Sequence, residues 1–189
     1  SEMCIRDRLY RFIEEKSPKI FKEIKKRVKE GRWEASGGCW VEFDTNIPSG
    51  ESIIRQILYG KNYFKEKFGI DCKVLWLPDV FGYNASLPQI LKKSEIDLFI
   101  TTKISWNQYT RFPYDTFYWK GIDGSKVLTH FITTPTKTKD FHTYNTTATP
   151  TEIYETYLDY QQKNINNILL MPYGFGDGGG GPKESMLKE

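Results

Sequence analysis

CKVLWLPDVFGYNASLPQILKKSEIDLFITTK, residues 72–103, is the stretch whose reading decides the fold class. It opens on CKVLWL, a short and nearly continuous apolar run of the kind found in strands covered on both faces. LPQILKKSE then reads as a short helix, and DLFITT as a second buried strand. Strand, helix and strand in that order predict parallel pairing across a helical crossover. Between the first strand and the helix sits one carboxylate, Asp79, with Pro78 before it and Phe81-Gly82 just after.

The same alternation continues outward. Leu9 to Lys29 has apolar residues at helical spacing, interrupted near Pro18. GGCWVEFD, residues 37–44, is expected to form a short strand. A helix follows, capped by Ser49, with Ile53, Ile54, Ile57, Leu58 and Phe64 on one face and a stop at Gly69. Residues 115–133 alternate and fold back over Asp123-Gly124, a hairpin signal. Residues 134–149 read as a long loop, 150–164 as a helix, and INNILLMPYG, residues 165–174, as a strand running into glycines. The expected fold is α/β with a mainly parallel sheet, without internal repeat or dividing linker.

Composition narrows the function classes. Lys and Arg number 27 against 24 Asp and Glu, a net charge of +3. The most basic stretch, residues 16–32, has the apolar spacing and interspersed Glu of a solvated helix face rather than a nucleic-acid patch. No apolar run approaches the roughly 20 residues that span a bilayer, and the chain opens on no signal-peptide pattern. Cys4, Cys39 and Cys72 are odd in number and widely spaced, which argues against a disulfide framework and for a reducing compartment. Residues 1–8 lack register with the following helix and are expected to be foreign or disordered. The final GPKESMLKE breaks off as a helix begins, so a fragment is expected.

In parallel α/β folds ligands bind at the C-terminal ends of the strands. The expected strands deliver Glu42, Asp44, Asp79, Lys103 and Asp177 to such ends. A single acid after a strand is commonly only a helix cap. Two acids from separate strands, Asp79 and Asp177, both beside glycine, are the equipment of glycoside hydrolysis. The loop YGFGDGGGGP lacks the lysine and hydroxyl of a phosphate-binding loop and holds an acid that would repel phosphate. Aromatic residues make up 15% of the chain, and their faces serve sugar platforms and cores alike. His130 is expected as a wall or core residue and His142 as a solvated one, so no complete metal site assembles from these residues. No nucleophile elbow is present.

Five ordered motifs carry a specific resemblance: residues 37–69, WLPDVFGYNASLPQIL, TTKISWN, YWKGIDGSKVLTHF and YGFGDGGGGP. From about Leu9 onward the chain resembles the N-terminal catalytic domain of glycoside hydrolase family 38 α-mannosidases, in its cytosolic-type branch. The resemblance implies a seven-stranded parallel β/α barrel, incomplete in this fragment. It also implies retaining hydrolysis of terminal α-mannosyl residues of oligosaccharides in the cytoplasm, with no nucleic-acid or membrane partner. The implied cofactor is a divalent metal, zinc first and cobalt also effective.

Asp79 matches the family's nucleophile and metal ligand, and Asp177 is the candidate acid/base. Phe81 matches an aromatic residue of the sugar pocket, Asp44 a pocket-lining acid, Trp106 a nearby aromatic residue, and Lys103 a basic position held by arginine in other branches. The family's His-x-Asp pair and a distant histidine, which would complete the metal site, are absent. The 189 residues are therefore expected to be inactive alone. A carbohydrate-binding remnant without turnover and a nucleotide-binding module are the competing readings.

Overall fold

A computed structural model describes residues 7–176 and 182–187. Two helices, α1 (Asp7–Lys16) and α2 (Pro18–Lys29), break at Ser17-Pro18, where proline at the first helical position lacks the N–H that would continue α1. α3 (Gly50–Phe68) starts where Ser49 accepts the N–H of Ser52 and ends at Gly69, whose φ of 74° is left-handed. Then come β1 (Val74–Trp76), α4 (Leu87–Lys93), β2 (Leu98–Thr101), β3 (Thr116–Lys120), β4 (Lys126–Phe131) and α5 (Pro150–Asp159).

The four strands form one sheet in the order β1-β2-β4-β3. β1 and β2 run parallel with Leu75 opposite Phe99, and β2 and β4 run parallel with Ile100 opposite His130. β3 joins as the antiparallel arm of the β3–β4 hairpin, which turns through Gly124 at φ 88°. The crossover read in residues 72–103 is thus present. Among the described residues the sheet is mixed and mostly parallel, and its four strands do not close on themselves.

Two of the three apolar clusters among the described residues hold the helices. Ile53 and Ile57 of α3 pack with Leu75, Leu77, Leu87, Leu91 and Phe99. Tyr10, Phe21, Ile24, Tyr63 and Phe64 bind α1 and α2 to the far end of α3. Each large side chain so buried is worth roughly 1.5–3 kcal/mol relative to exposure. The apolar stripe of α3 is narrower than its spacing suggests, since Ile54 and Leu58 face solvent.

Two expected strands do not form. Residues 37–44 make one bridge, Gly37 to Leu75. Gly38 then turns at φ 69°, so close to β1 that a Cβ would lie 2.6 Å from the Val74 carbonyl. Beyond it the backbone bonds to α3 instead: Trp40 N–H donates to the Gln56 carbonyl at 2.9 Å and Val41 N–H to the Gln56 side chain at 3.2 Å. In residues 165–174 the Asn166 side chain donates to the Ile168 carbonyl and accepts its N–H. The N–H groups of Ile165 and Asn166 turn back to the Gln162 carbonyl. Side-chain competition of this kind diverts backbone groups from a ladder.

α5 starts at the expected position but ends at Asp159, short of the expected 164. Thr149 and Glu152 form a reciprocal capping box with Pro150 at the first helical position. No helix among the described residues is long and apolar enough to cross a membrane.

Candidate active site

The parallel strands β1, β2 and β4 present their C-terminal ends along one edge of the sheet. Asp79 follows β1 in a turn that Tyr83 clamps. The Tyr83 hydroxyl lies 2.8 Å from the Leu77 carbonyl and 2.9 Å from the Val80 carbonyl, and pairs with the Thr101 hydroxyl at the end of β2. A second brace comes from residues 42–45. Glu42 accepts the backbone N–H of Asp79 at 3.0 Å. Thr45, fully buried, donates to the Gly82 carbonyl and accepts the N–H of Asn84. The carboxylate of Asp79 is therefore set by its own backbone, which two neighbouring segments hold.

Lys103 opens a 3-10 turn just after β2. Its Nζ lies 3.1 Å from Asp79 Oδ1, and the lysine side chain is only 11% exposed. The same ammonium sits 3.5 Å from the centroid of the Trp106 ring, 5.0 Å from Phe81 and 5.9 Å from Tyr144. Aromatic faces attract a cation through their quadrupole, more strongly where water is excluded. Phe81 and Trp106 meet edge to face at 6.0 Å and keep exposed ring surface, with Phe81 69% exposed. Such rings can stack against the apolar face of a sugar.

Trp106 is itself held from behind. It stacks on Phe141 at 4.9 Å, and its indole N–H donates to the His142 carbonyl at 2.8 Å. His142 is not solvated as its loop suggested. Its ring pairs with Asp159 at the end of α5, and its side chain is only 12% exposed. Burial opposes ionisation of Asp159, yet the hydrogen bond from His142 and the charge of Arg111 outweigh it and hold the carboxyl below its usual range. His130 is half-buried in β4, its Nδ1 bonded to the Thr116 hydroxyl, and burial lowers its pKa against the pull of Asp115.

Of the residues singled out from sequence, Asp79, Phe81, Lys103 and Trp106 come together in one cluster. Asp44 is exposed and accepts the N–H groups of Asn46 and Ile47, and makes no hydrogen bond or ion pair with Asp79 or Lys103. Asp177 lies outside the described residues. The chain leading to it is placed: Gly174 N–H donates to the Thr146 carbonyl and Thr146 donates to the Pro172 carbonyl. A Cβ on Gly176 would lie 2.7 Å from the Asn145 amide. That approach runs beside the loop that sets Tyr144 against Lys103.

Glu42, Tyr83, Phe141 and Tyr144 complete the cluster without having been assigned to it. Only Glu42 left a signal, as an acid at an expected strand end. No group of three or more His, Cys, Asp or Glu among the described residues could hold a metal ion. Asp79 offers one carboxylate, already paired with an ammonium, so these residues do not by themselves fit a metal centre.

The family described as Glycosyl hydrolases family 38 N-terminal domain matches residues 3–189. The chain is 44% identical to alpha-mannosidase G of Dictyostelium discoideum over 95% of its length, covering 16% of that protein. It is 43% identical to an alpha-mannosidase of Saccharomyces cerevisiae over 95% of its length and 39% identical to human alpha-mannosidase 2C1 over 97%. It covers 16% and 17% of those two, so it spans about a sixth of each of these relatives. Among solved structures, an alpha-mannosidase from Enterococcus faecalis superposes with a TM-score of 0.61 at 18% identity, over 85% of this chain and 18% of the other. A 4-alpha-glucanotransferase from Thermococcus litoralis superposes at 0.56 and 20% identity, over 67% of this chain and 20% of the other. At those identities the likeness concerns the fold.

Proposed function

This chain belongs to glycoside hydrolase family 38 through its N-terminal domain, and from that premise we propose that it carries the nucleophile of a retaining α-mannosidase. The proposed substrate is a mannose-containing oligosaccharide, cleaved at its terminal α-mannosyl residue in the cytoplasm. The proposed setting is residues 9–189 as part of a seven-stranded β/α barrel. The observation that carries the reading is the Asp79–Lys103 pair at 3.1 Å, ringed by Phe81, Trp106 and Tyr144 at the C-terminal edge of the parallel strands.

In this reading Asp79 attacks the anomeric carbon. The C1–O bond to the leaving group breaks as an ester bond forms between Asp79 and C1, and Asp177 gives a proton to the departing oxygen. Water then displaces Asp79, with Asp177 taking its proton, so the anomeric configuration is retained. Glu42 and Tyr83 fix the turn that aims the carboxylate, and Phe81 and Trp106 offer the sugar apolar faces. A divalent metal, zinc first and cobalt as the alternative, would take Asp79 as one ligand and need the others from beyond these residues.

The test uses a complete enzyme carrying this sequence. Asp79→Asn should cut hydrolysis of an aryl α-mannoside by more than about a thousandfold. Proton NMR of the wild-type reaction should show the α-anomer of mannose formed first. Near-normal turnover of the variant, or initial release of the β-anomer, would refute the assignment.

A further inference from the structure

His142 joins the turn that carries Lys103 and Trp106 to the last turn of α5. Its backbone N–H donates to the Ser105 hydroxyl at 3.0 Å, and its carbonyl accepts the Trp106 indole N–H at 2.8 Å. Ser105 in turn donates to the Thr102 carbonyl at 3.0 Å. The ring Nε2 of His142 pairs with Asp159. The backbone of one residue thus holds the candidate site while its side chain holds the helix.

The segment around His142 is a small hairpin. Thr143 N–H donates to the Thr134 carbonyl and Thr136 N–H to the Phe141 carbonyl, each at 2.7 Å, and Pro135 stands opposite His142. α5 grips this hairpin at three places. The buried Thr156 and Thr134 hydroxyls meet at 3.2 Å at its base. Lys139 reaches Glu155 at 2.6 Å near its tip, and His142 meets Asp159 between the two. Glu155 and Thr156 stand four and three positions before Asp159, so the three share one helix face.

The three grips are unequal. The Lys139 side chain is 65% exposed, and an exposed ion pair contributes little. The threonine pair fixes only the base of the hairpin. The His142–Asp159 pair is sheltered, and it acts on the residue whose carbonyl holds Trp106. Burial opposes ionisation of Asp159, but the hydrogen bond from His142 and the charge of Arg111 keep its carboxyl below the usual range. The carboxylate therefore accepts, and His142 Nε2 donates. Arg111 fixes that acceptor from the segment before β3, at 3.0 Å to the carboxylate and 2.6 Å to the Asp159 carbonyl.

We propose that His142 and Asp159 are positioning residues for the mannosidase reaction, with α5 a strut that holds the hairpin against Trp106 and so sets its ring beside Lys103 and Asp79. The proposal rests on the mannosidase reading above, in which Trp106 offers a face to the sugar. His142 and Asp159 act only through that ring. A platform meets the sugar in the ground state and the transition state alike, so misplacing it raises KM and leaves kcat. A merely structural defect does the opposite, removing active enzyme and lowering apparent kcat at constant KM.

The experiment measures KM and kcat for a small aryl α-mannoside in the complete enzyme. His142→Leu should raise KM about fivefold, the size expected when one hydrogen bond's net contribution is lost, with kcat within about twofold. His142→Gln, which can again present a nitrogen donor, should return KM to within about twofold of wild type. Trp106→Phe keeps a ring but loses the indole N–H, so adding His142→Leu to it should raise KM by less than about twofold further. Should His142→Leu fail to fold, Asp159→Asn takes its place and should raise KM about threefold. A wild-type KM in the folded variant would overturn the strut, as would the full rise persisting in the Trp106→Phe background. If the unmodified enzyme does not cleave the aryl α-mannoside, the mannosidase reading fails first and the positioning role falls with it.

Discussion

At the scale of single residues, Lys103 is the most exposed to test. Its ammonium is the cation paired with Asp79, and the surrounding rings leave the lysine side chain only 11% exposed while Asp79 keeps 35%. Removing one partner of a sheltered pair leaves the other charge uncompensated, which costs more than a surface pair is worth. Lys103→Met should therefore lower kcat/KM for an aryl α-mannoside about tenfold or more, and Lys103→Arg should restore part of it. Equal activity in all three forms, measured by steady-state kinetics, would remove Lys103 from the site. In the sequence, Asp79 and Lys103 were legible because each follows a readable strand end, whereas Phe81 and Trp106 were marked only by the family resemblance. It read His142 as solvated, because its partner Asp159 lies 17 residues away on another element. No local pattern marks such a pair. Tyr144 and Phe141 sit in a loop rich in Thr and Lys, where polar composition hides their contacts.

At the scale of elements, boundaries were legible wherever one residue type has a single physical use. Ser49 and Gly69 bracket α3, and Asp123-Gly124 turns the hairpin. Strands at residues 37–44 and 165–174 were misread because apolar alternation says nothing about who accepts the backbone hydrogen bonds. An ionic contact also ties α3 to the segments before β1 and after α4. Lys61 of α3, 15% exposed, lies 2.8 Å from Asp71 and donates to the carbonyls of Cys72 at 3.1 Å and Ser94 at 2.8 Å. Lys61→Met should destabilise the domain by about 1–3 kcal/mol, as two carbonyls and a carboxylate lose a charged donor. A thermal midpoint unchanged from wild type would contradict that.

The same node sets an acid limit. Lys61 and then Lys73 pull the Asp71 carboxyl from its ordinary 3.8 to about 2. A pKa depressed by folding gives stability that is whole above about pH 4 and disappears as pH falls through about 2. Because Asp71 is 41% exposed, solvent screening limits this to about 1 kcal/mol or less. Asp71→Asn should thus lower the midpoint slightly at pH 7 and by distinctly less at pH 2. A wild-type advantage that persists undiminished at pH 2 would assign the stabilisation to other groups.

At the scale of the whole molecule, the described residues bury a core on one side and leave apolar surface on another. Ile165 and Ile168 are about three-quarters exposed, and Ile153 and Tyr157 on α5 about half. β3 forms one end of the open sheet order, and among the described strands it pairs only with β4. Scattered apolar side chains are ordinary on a surface, but a run of them near an unpaired strand edge favours association. The 189-residue chain prepared alone should therefore bind a dye that reports apolar surface and should sediment as larger species as its concentration rises. Replacing Ile165 and Ile168 together by Asn should reduce both effects without lowering the thermal midpoint, because neither side chain belongs to the buried clusters. A chain that stays monomeric and dye-silent at high concentration would mean that this face is covered by the chain's own residues. In that case the open sheet would be sufficient as a fold, and the surface around α5 would need no further partner.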